Sequence, residues 1–175
     1  MTEAVTMHIG NHSALNNDEW NTPAQYIEAA RKVMGSIDVD PASNPVAQLS
    51  VRAKRFYSRE NSGLAAEANW RGNLWMNPPY SRGLLGDFCS RLLAELEAGR
   101  VKQAIVLVNS GTETKPYQAM LSKASALCFP SKRIRFIRPT GEVGGNPNKG
   151  QTFFYFGDNP QGFSEMFSQF GYVWG

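Results

Sequence analysis

The chain has 175 residues, room for one domain of ordinary size, and 42% of them are apolar, enough for a packed core. No run approaches the roughly 18 uninterrupted apolar residues of a membrane helix, and residues 1–17 lack the basic start and apolar centre of a secretory signal. A net charge of +3, two cysteines (Cys89, Cys128) and two histidines (His8, His12) argue against a disulfide framework and a His/Cys metal site, so a cytoplasmic single-domain protein without membrane or metal is expected.

Residues 1–18 are polar, aperiodic and Asn-rich, and read as a flexible leader before one domain over 19–175. Thr22-Pro23 has the form of a helix start, with Thr as cap and Pro at the first helical position. Tyr26, Ile27, Ala30 and Val33-Met34 then share one face, and Gly35 ends the helix. Residues 36–40 alternate at period two and stop at Pro41, which predicts a short strand. Pro41 to Ser62 offers one strand, around Arg55-Phe56-Tyr57.

Residues 73–76 predict a strand that runs straight into Asn77-Pro78-Pro79-Tyr80. Leu85, Phe88, Leu92 and Leu96 mark an amphipathic helix closed near Gly99, and residues 104–108 (AIVLV) a strand buried on both faces. A helix over 115–123 and a strand over 126–129 follow. Residues 133–137 and 152–156 read as strands around a Gly/Pro/Asn loop, 139–150, before a last helix through Phe163, Met166, Phe167 and Phe170 and a strand at 172–174. Strand and helix alternate through two thirds of the chain. This predicts an α/β fold with a mostly parallel twisted sheet, helices on both faces and an antiparallel C-terminal end.

The chemistry gathers at Asn77-Pro78-Pro79-Tyr80, where a buried strand ends and open α/β sheets bind their ligands. Two prolines stiffen the turn and remove two N–H donors. The Asn77 side-chain oxygen and the Pro78 carbonyl can accept both hydrogens of a planar amino group, and the Tyr80 ring can stack on a flat base. Such a set suits an exocyclic amine on a heterocycle. Its lone pair is conjugated into the ring, and two fixed acceptors favour the tetrahedral form that can attack. The plainer alternative is a rigid turn with a packed tyrosine.

In these residues the sequence resembles the phage-type DNA adenine-N6 methyltransferases, within the wider S-adenosylmethionine-dependent amino-methyltransferases. The resemblance runs from about Glu19 to Gly171 and is carried by Trp20-Asn21-Thr22-Pro23, Ile37 to Ser43, Asn61-Ser62-Gly63-Leu64 with Trp70, and Trp75 to Ser81. It implies a Rossmann-like class I methyltransferase fold, S-adenosyl-L-methionine as cofactor, DNA as partner and a phage or prophage source. It implies in-line methyl transfer to a flipped adenine, with Asn77, Pro78, Pro79 and Tyr80 as the catalytic turn. By the same resemblance Thr22, with Pro23 beside it, meets the cofactor's carboxylate and Asp40 its ammonium. Asp38, Pro41 and Ala42 border that site, and Asn61 and Leu64 contact the adenine moiety. The turn after the first strand, Asp40 to Pro45, departs from the family pattern by having no Gly. Glu60 and Glu67 are equal candidates for the acid at the ribose. The same turn also serves methylation of a protein glutamine, of cytosine N4 or of an RNA base, and a degenerate fold could bind nucleic acid without catalysis.

Charge is uneven: residues 51–138 carry fifteen basic and six acidic side chains, residues 1–50 two and six. That pattern alone fits either a polyanion partner or a solvated basic surface. Lys132, Arg133, Arg135 and Arg138 fall within seven positions, with Lys149 at the far end of the loop, so 131–150 reads as a basic strand-loop insertion for phosphate contact. Ser81 and Arg82, directly after the catalytic turn, are expected at the phosphates flanking an extruded base.

Overall fold

The computed structural model describes residues 20–81, 83–145 and 147–175; the expected leader and Arg82 lie outside the described residues. In chain order the elements are α1 (Ala24–Met34), β1 (Val39–Asp40), α2 (Gln48–Val51), β2 (Arg55–Phe56), β3 (Gly72–Met76) and α3 (Leu84–Glu97). They continue with β4 (Val101–Asn109), α4 (Lys115–Leu121), β5 (Ala126–Pro130), β6 (Gln151–Phe156), α5 (Pro160–Phe167) and β7 (Gly171–Trp174).

Local chemistry accounts for most boundaries. Gly35 closes α1 at φ +80°, a conformation that costs a Cβ-bearing residue steric energy. The α5 start is capped by Asn159, whose Oδ1 accepts from the Gly162 N–H at 3.0 Å, with Pro160 inside it. At α1 the expected cap does not form. Pro23 occupies the N-cap position with no side-chain cap bond, because Thr22 Oγ1 accepts from Asn77 instead.

All seven strands join one sheet in the order β2-β1-β3-β4-β6-β5-β7. Pairings are parallel from β2 through β1 and β3 to β4, and antiparallel from β4 through β6 and β5 to β7. The expectation of a mostly parallel sheet therefore holds for one half only: β6 inserts between β4 and β5 and reverses direction. The chain passes from β1 to β2 on one side, then crosses to β3 on the other. β1 is thus the switch point, where neighbouring connections part and leave a crevice at the strands' carboxyl ends.

Side chains of β4 alternate between two cores. Ile105 and Leu107 face α1 and α5 in a layer with Phe153, Tyr155, Phe163 and Phe167. Ala104, Val106 and Val108 face α3 and α4 with Phe154, Phe156, Leu92 and Met120. Helices cover both faces, as expected. Cys89 and Cys128 are buried in these layers, and burial pushes each thiol up to about 12. Among the described residues no helix is long and apolar enough to cross a membrane.

One strand expectation is corrected. Residues 133–137 form no strand. Ile137 makes single bridges to Asn21 and Val143, and the Ile134 N–H donates to the side chain of Gln151 at 3.1 Å instead of to a ladder. Alternation survives: Ile134 and Phe136 are buried, Arg133 and Arg135 exposed.

Phe153 is fully buried, with ring centroids of Tyr26 at 5.4 Å, Phe167 at 5.1 Å and Trp75 at 6.5 Å. Phe153→Ala is expected to cost about 3–5 kcal/mol. Tyr172→Ala, at a side chain 72% exposed, should stay within about 0.5 kcal/mol. Urea denaturation of both variants checks the contrast.

Candidate active site

β1 ends at Asp40 and β3 at Met76, so the parallel pairing of these strands brings Asp40 and Asn77 to the same edge of the sheet. There the chain encloses a cavity of about 270 Å³, near the lower bound of roughly 300–1,000 Å³ usual for small-molecule sites. Its wall draws on four stretches: Trp20 to Thr22, Asp40 to Asn44 with Ala47 and Val51, Ser58 to Leu64 in part, and Asn77 to Tyr80 with Trp75, Leu84 and Phe88.

Asn77 is held through every atom of its amide. Nδ2 donates to the Trp20 carbonyl at 3.0 Å and to Thr22 Oγ1 at 3.2 Å, while Oδ1 accepts from the Tyr80 hydroxyl at 3.0 Å. Burial pushes the Tyr80 phenol well above its ordinary range, so it stays a neutral donor at any working pH. Pro78 is buried, Pro79 half-buried.

Asp40 is 2% exposed. Oδ2 accepts from Gln48 Nε2 at 3.0 Å and Oδ1 from the Ala42 N–H at 3.3 Å. Burial pushes this carboxyl up to about 7, against the opposing pull of hydrogen bonds from Ser43, Ala42 and Gln48. These neighbours donate hydrogen bonds but carry no charge, so the ionised form is poorly compensated.

Of the residues expected at the cofactor, Thr22, Asp40, Pro41, Ala42 and Leu64 line the cavity. Three do not. Asp38 turns towards the start of β3: it accepts from the Asn73 N–H at 2.8 Å and from Ser36 Oγ at 3.1 Å, and pairs with Lys54 at 2.7 Å. Burial alone would raise its pKa, but these partners outweigh it and hold the carboxyl below its ordinary value. Asn61 is exposed and outside the wall, and Pro23 lines a separate groove. Glu60 and Glu67 are exposed and off the wall, where Ser58, Arg59 and Ser62 stand instead; Glu60 accepts from Ser58 Oγ at 2.6 Å.

The basic residues divide. Lys132, Arg133 and Arg135 line the second, more open groove of about 640 Å³ with Pro23, Gln25, Tyr26 and Pro147, and Arg133 Nη1 donates to the Pro147 carbonyl at 2.6 Å. Arg138 lies outside it, its guanidinium 5.4 Å from the Trp20 ring and 3.8 Å from Glu142. Lys149 is exposed beyond both cavities, and Ser81 is half-buried just past the turn.

Sequence reasoning assigned no role to Gln48, Asn44 or Gly63. Asn44-Pro45 carried a usable signal, an Asx residue before a helical turn, and Asn44 Oδ1 does accept from the Ala47 N–H at 2.8 Å. Gly63 answers the absence of Gly after β1: a Cβ there would sit 2.1 Å from the Pro41 carbonyl oxygen, so the close approach is made from the opposite loop. The Gly63 carbonyl is held by Trp70 Nε1 at 2.8 Å and Arg91 Nη1 at 3.1 Å.

Comparison with known proteins bears on this geometry. The profile of the family described as DNA N-6-adenine-methyltransferase (Dam) matches residues 10–166, which includes the whole cavity wall. A relative described as DNA N-6-adenine-methyltransferase, from Haemophilus phage HP1 (strain HP1c1), is 28% identical over 145 residues, covering 81% of this chain and 79% of that protein.

Asp40 makes stability depend on pH. The folded state holds its proton up to about 7, whereas an unfolded aspartate loses it near 3.8. Its contribution is therefore complete below about 3.8 and lost as pH rises through about 7. Asp40→Asn should gain on the wild type between pH 5 and pH 8 by several degrees in Tm, each kcal/mol being worth roughly 2–4 °C at this length. Thermal melts at the two pH values measure it; a constant difference would contradict the assignment.

Proposed function

The chain belongs to the DNA N-6-adenine-methyltransferase (Dam) family and methylates adenine N6 in DNA; from that premise we propose that the cavity at the β1–β3 switch point takes S-adenosylmethionine and, beside it, a flipped adenine. The fold is read as Rossmann-like, with 19–175 as one methyltransferase domain. Three consecutive parallel pairings and the crevice at β1 support that reading.

The observation that carries the reading is the placement of Asp40 and Asn77 on one wall. A buried carboxylate with only neutral hydrogen-bond partners fits the cofactor's ammonium, whose charge would compensate it. The Thr22 hydroxyl fits the carboxylate, and Pro41, Ala42 and Leu64 offer apolar contact to a flat ring. When bound, the cofactor supplies an electrophilic methyl group. The chain's own part is to hold the acceptor. Asn77 Oδ1 keeps one lone pair beyond the bond from Tyr80, which with the Pro78 carbonyl receives the two hydrogens of the adenine amine. Tyr80 offers its ring for stacking, and its hydroxyl, bonded to Asn77, limits rotation of that ring.

The groove of Lys132, Arg133 and Arg135 is the proposed track for DNA phosphates. It shares the Thr22-Pro23 corner with the cavity, Thr22 on one side and Pro23 on the other, so a strand lying in it passes close to the catalytic turn. Arg138, Lys149 and Ser81 are proposed as outer phosphate contacts.

Nucleoside mass spectrometry of unmethylated DNA incubated with the protein and S-adenosylmethionine tests the site. Asn77→Ala is expected to lower N6-methyladenine formation by at least about 10²-fold, and Tyr80→Ala by roughly 5–100-fold through weaker stacking. Full activity in Asn77→Ala would overturn the assignment. Arg133→Glu should weaken DNA binding and reduce its salt slope by about 1 for each phosphate that is no longer neutralised, with cofactor affinity unchanged. Fluorescence anisotropy at several salt concentrations gives that slope.

A further inference from the structure

An asparagine works as an acceptor only in one of two amide orientations, and the Asn77 turn cannot choose between them. Pro78 and Pro79 have no N–H to bond Oδ1, and the Tyr80 hydroxyl that donates to Oδ1 at 3.0 Å could as readily accept from an NH₂, so neither fixes which way the amide faces. The choice must come from outside. The Trp20 carbonyl can only accept, so the amide group facing it at 3.0 Å has to be the NH₂. Turning the amide over would set two acceptors against each other and aim Nδ2 at the incoming amine, donor against donor.

The residues around this carbonyl are themselves pinned. The Asn21 N–H donates to the Ile137 carbonyl at 2.7 Å and the Ile137 N–H returns a bond at 2.9 Å. The Asn21 side chain accepts from Asn44 Nδ2 at 2.9 Å. Gly144 lies against the Trp20 ring so closely that an added Cβ would come within 2.5 Å of it, and the Gly144 N–H donates to the Phe136 carbonyl at 2.8 Å.

We propose that Trp20-Asn21-Thr22 is a positioning strap that holds the Asn77 amide in the one orientation presenting Oδ1 to the substrate amine, with Thr22 as a positioning residue in addition to any contact with the cofactor. The proposal rests on the reading that Asn77 accepts that amine. It ties the catalytic acceptor to the basic segment 131–150, since Ile137 and Gly144 hold the strap from that side. Disturbing this segment then alters turnover as well as DNA binding.

Single-turnover kinetics and side-chain amide NMR of Thr22→Val and Thr22→Ser test it, with Asn77→Ala as the reference that identifies the Asn77 NH₂ resonances. Thr22→Val keeps the shape but loses the acceptor. It should lower the methylation rate at saturating cofactor and DNA by roughly 3–10-fold, the worth of one hydrogen bond, and should shift or broaden the Asn77 NH₂ pair. Thr22→Ser, which keeps the hydroxyl, should restore the rate to within about 2-fold of the wild type and leave the pair in place. A Thr22→Val protein with wild-type rate and an unmoved pair overturns the proposal, as does one that only binds cofactor more weakly. If Thr22→Val does not fold, Gly144→Ala presses on the Trp20 ring from the other side. It should lower the saturated rate and move the same NH₂ pair, and an unchanged rate overturns the proposal. Retained activity in Asn77→Ala would remove the underlying site assignment instead.

Discussion

The geometry of the site depends on how β1 is locked to β3. β1 has two residues and cannot fix its register by ladder bonds alone. The lock is Asp38, just before it, whose carboxylate takes the Asn73 N–H, the Ser36 hydroxyl and the Lys54 ammonium. Gly72 makes room, since a Cβ at its φ of +78° would lie 2.3 Å from Asp38 Oδ2. The Asp38 N–H donates in turn to the Asn73 carbonyl at 2.8 Å. With this junction set, two parallel strands run side by side and deliver Asp40 and Asn77 to one edge. Asp38 is thereby spent on register, which is why it does not reach the cavity although it precedes Asp40 by only two residues.

Beyond the junction, the fold accepts electrostatic cost at the cavity wall. Asp40 is desolvated among neutral donors, which destabilises its charged form and leaves it receptive to a cation. The large aromatic layers on both faces of β4 and β6 offset that cost: Phe153, Phe154, Tyr155 and Phe163 are all fully buried. A rigid sheet is also what holds the acceptors at the strand ends, while the loops that complete the wall come from distant stretches of chain.

Residues 131–145 support the rim of the cavity without forming a strand. Their turn, Arg138 to Glu142, is built on Pro139 and on Gly141 at φ +87°, with the Gly141 N–H donating to the Arg138 carbonyl at 2.8 Å. Their inner residues pack on the α1–α5 layer, their outer arginines face solvent, and Ile137 bonds to Asn21 at the rim of the cavity. The basic groove and the rim of the cavity therefore share one support.

Much of this was legible in the chain. Asn77-Pro78-Pro79-Tyr80 after an apolar strand pointed to the end of β3, and the four residues do line the cavity there. The period of apolar residues placed α1, α3 and α5, and residues 104–108 declared a strand buried on both faces. Other features were invisible. Nothing local separates Asp38 from Asp40, marks 133–137 as held by isolated bridges and the Gln151 side chain, or says that Gly63 will meet Pro41 and that Trp20 will hold Asn77. Composition and spacing act over a few residues and determine which element forms and which groups it carries. Where those groups point, and which distant carbonyl or amide they meet, follows from register and loop closure, and these exist only once the sheet has assembled.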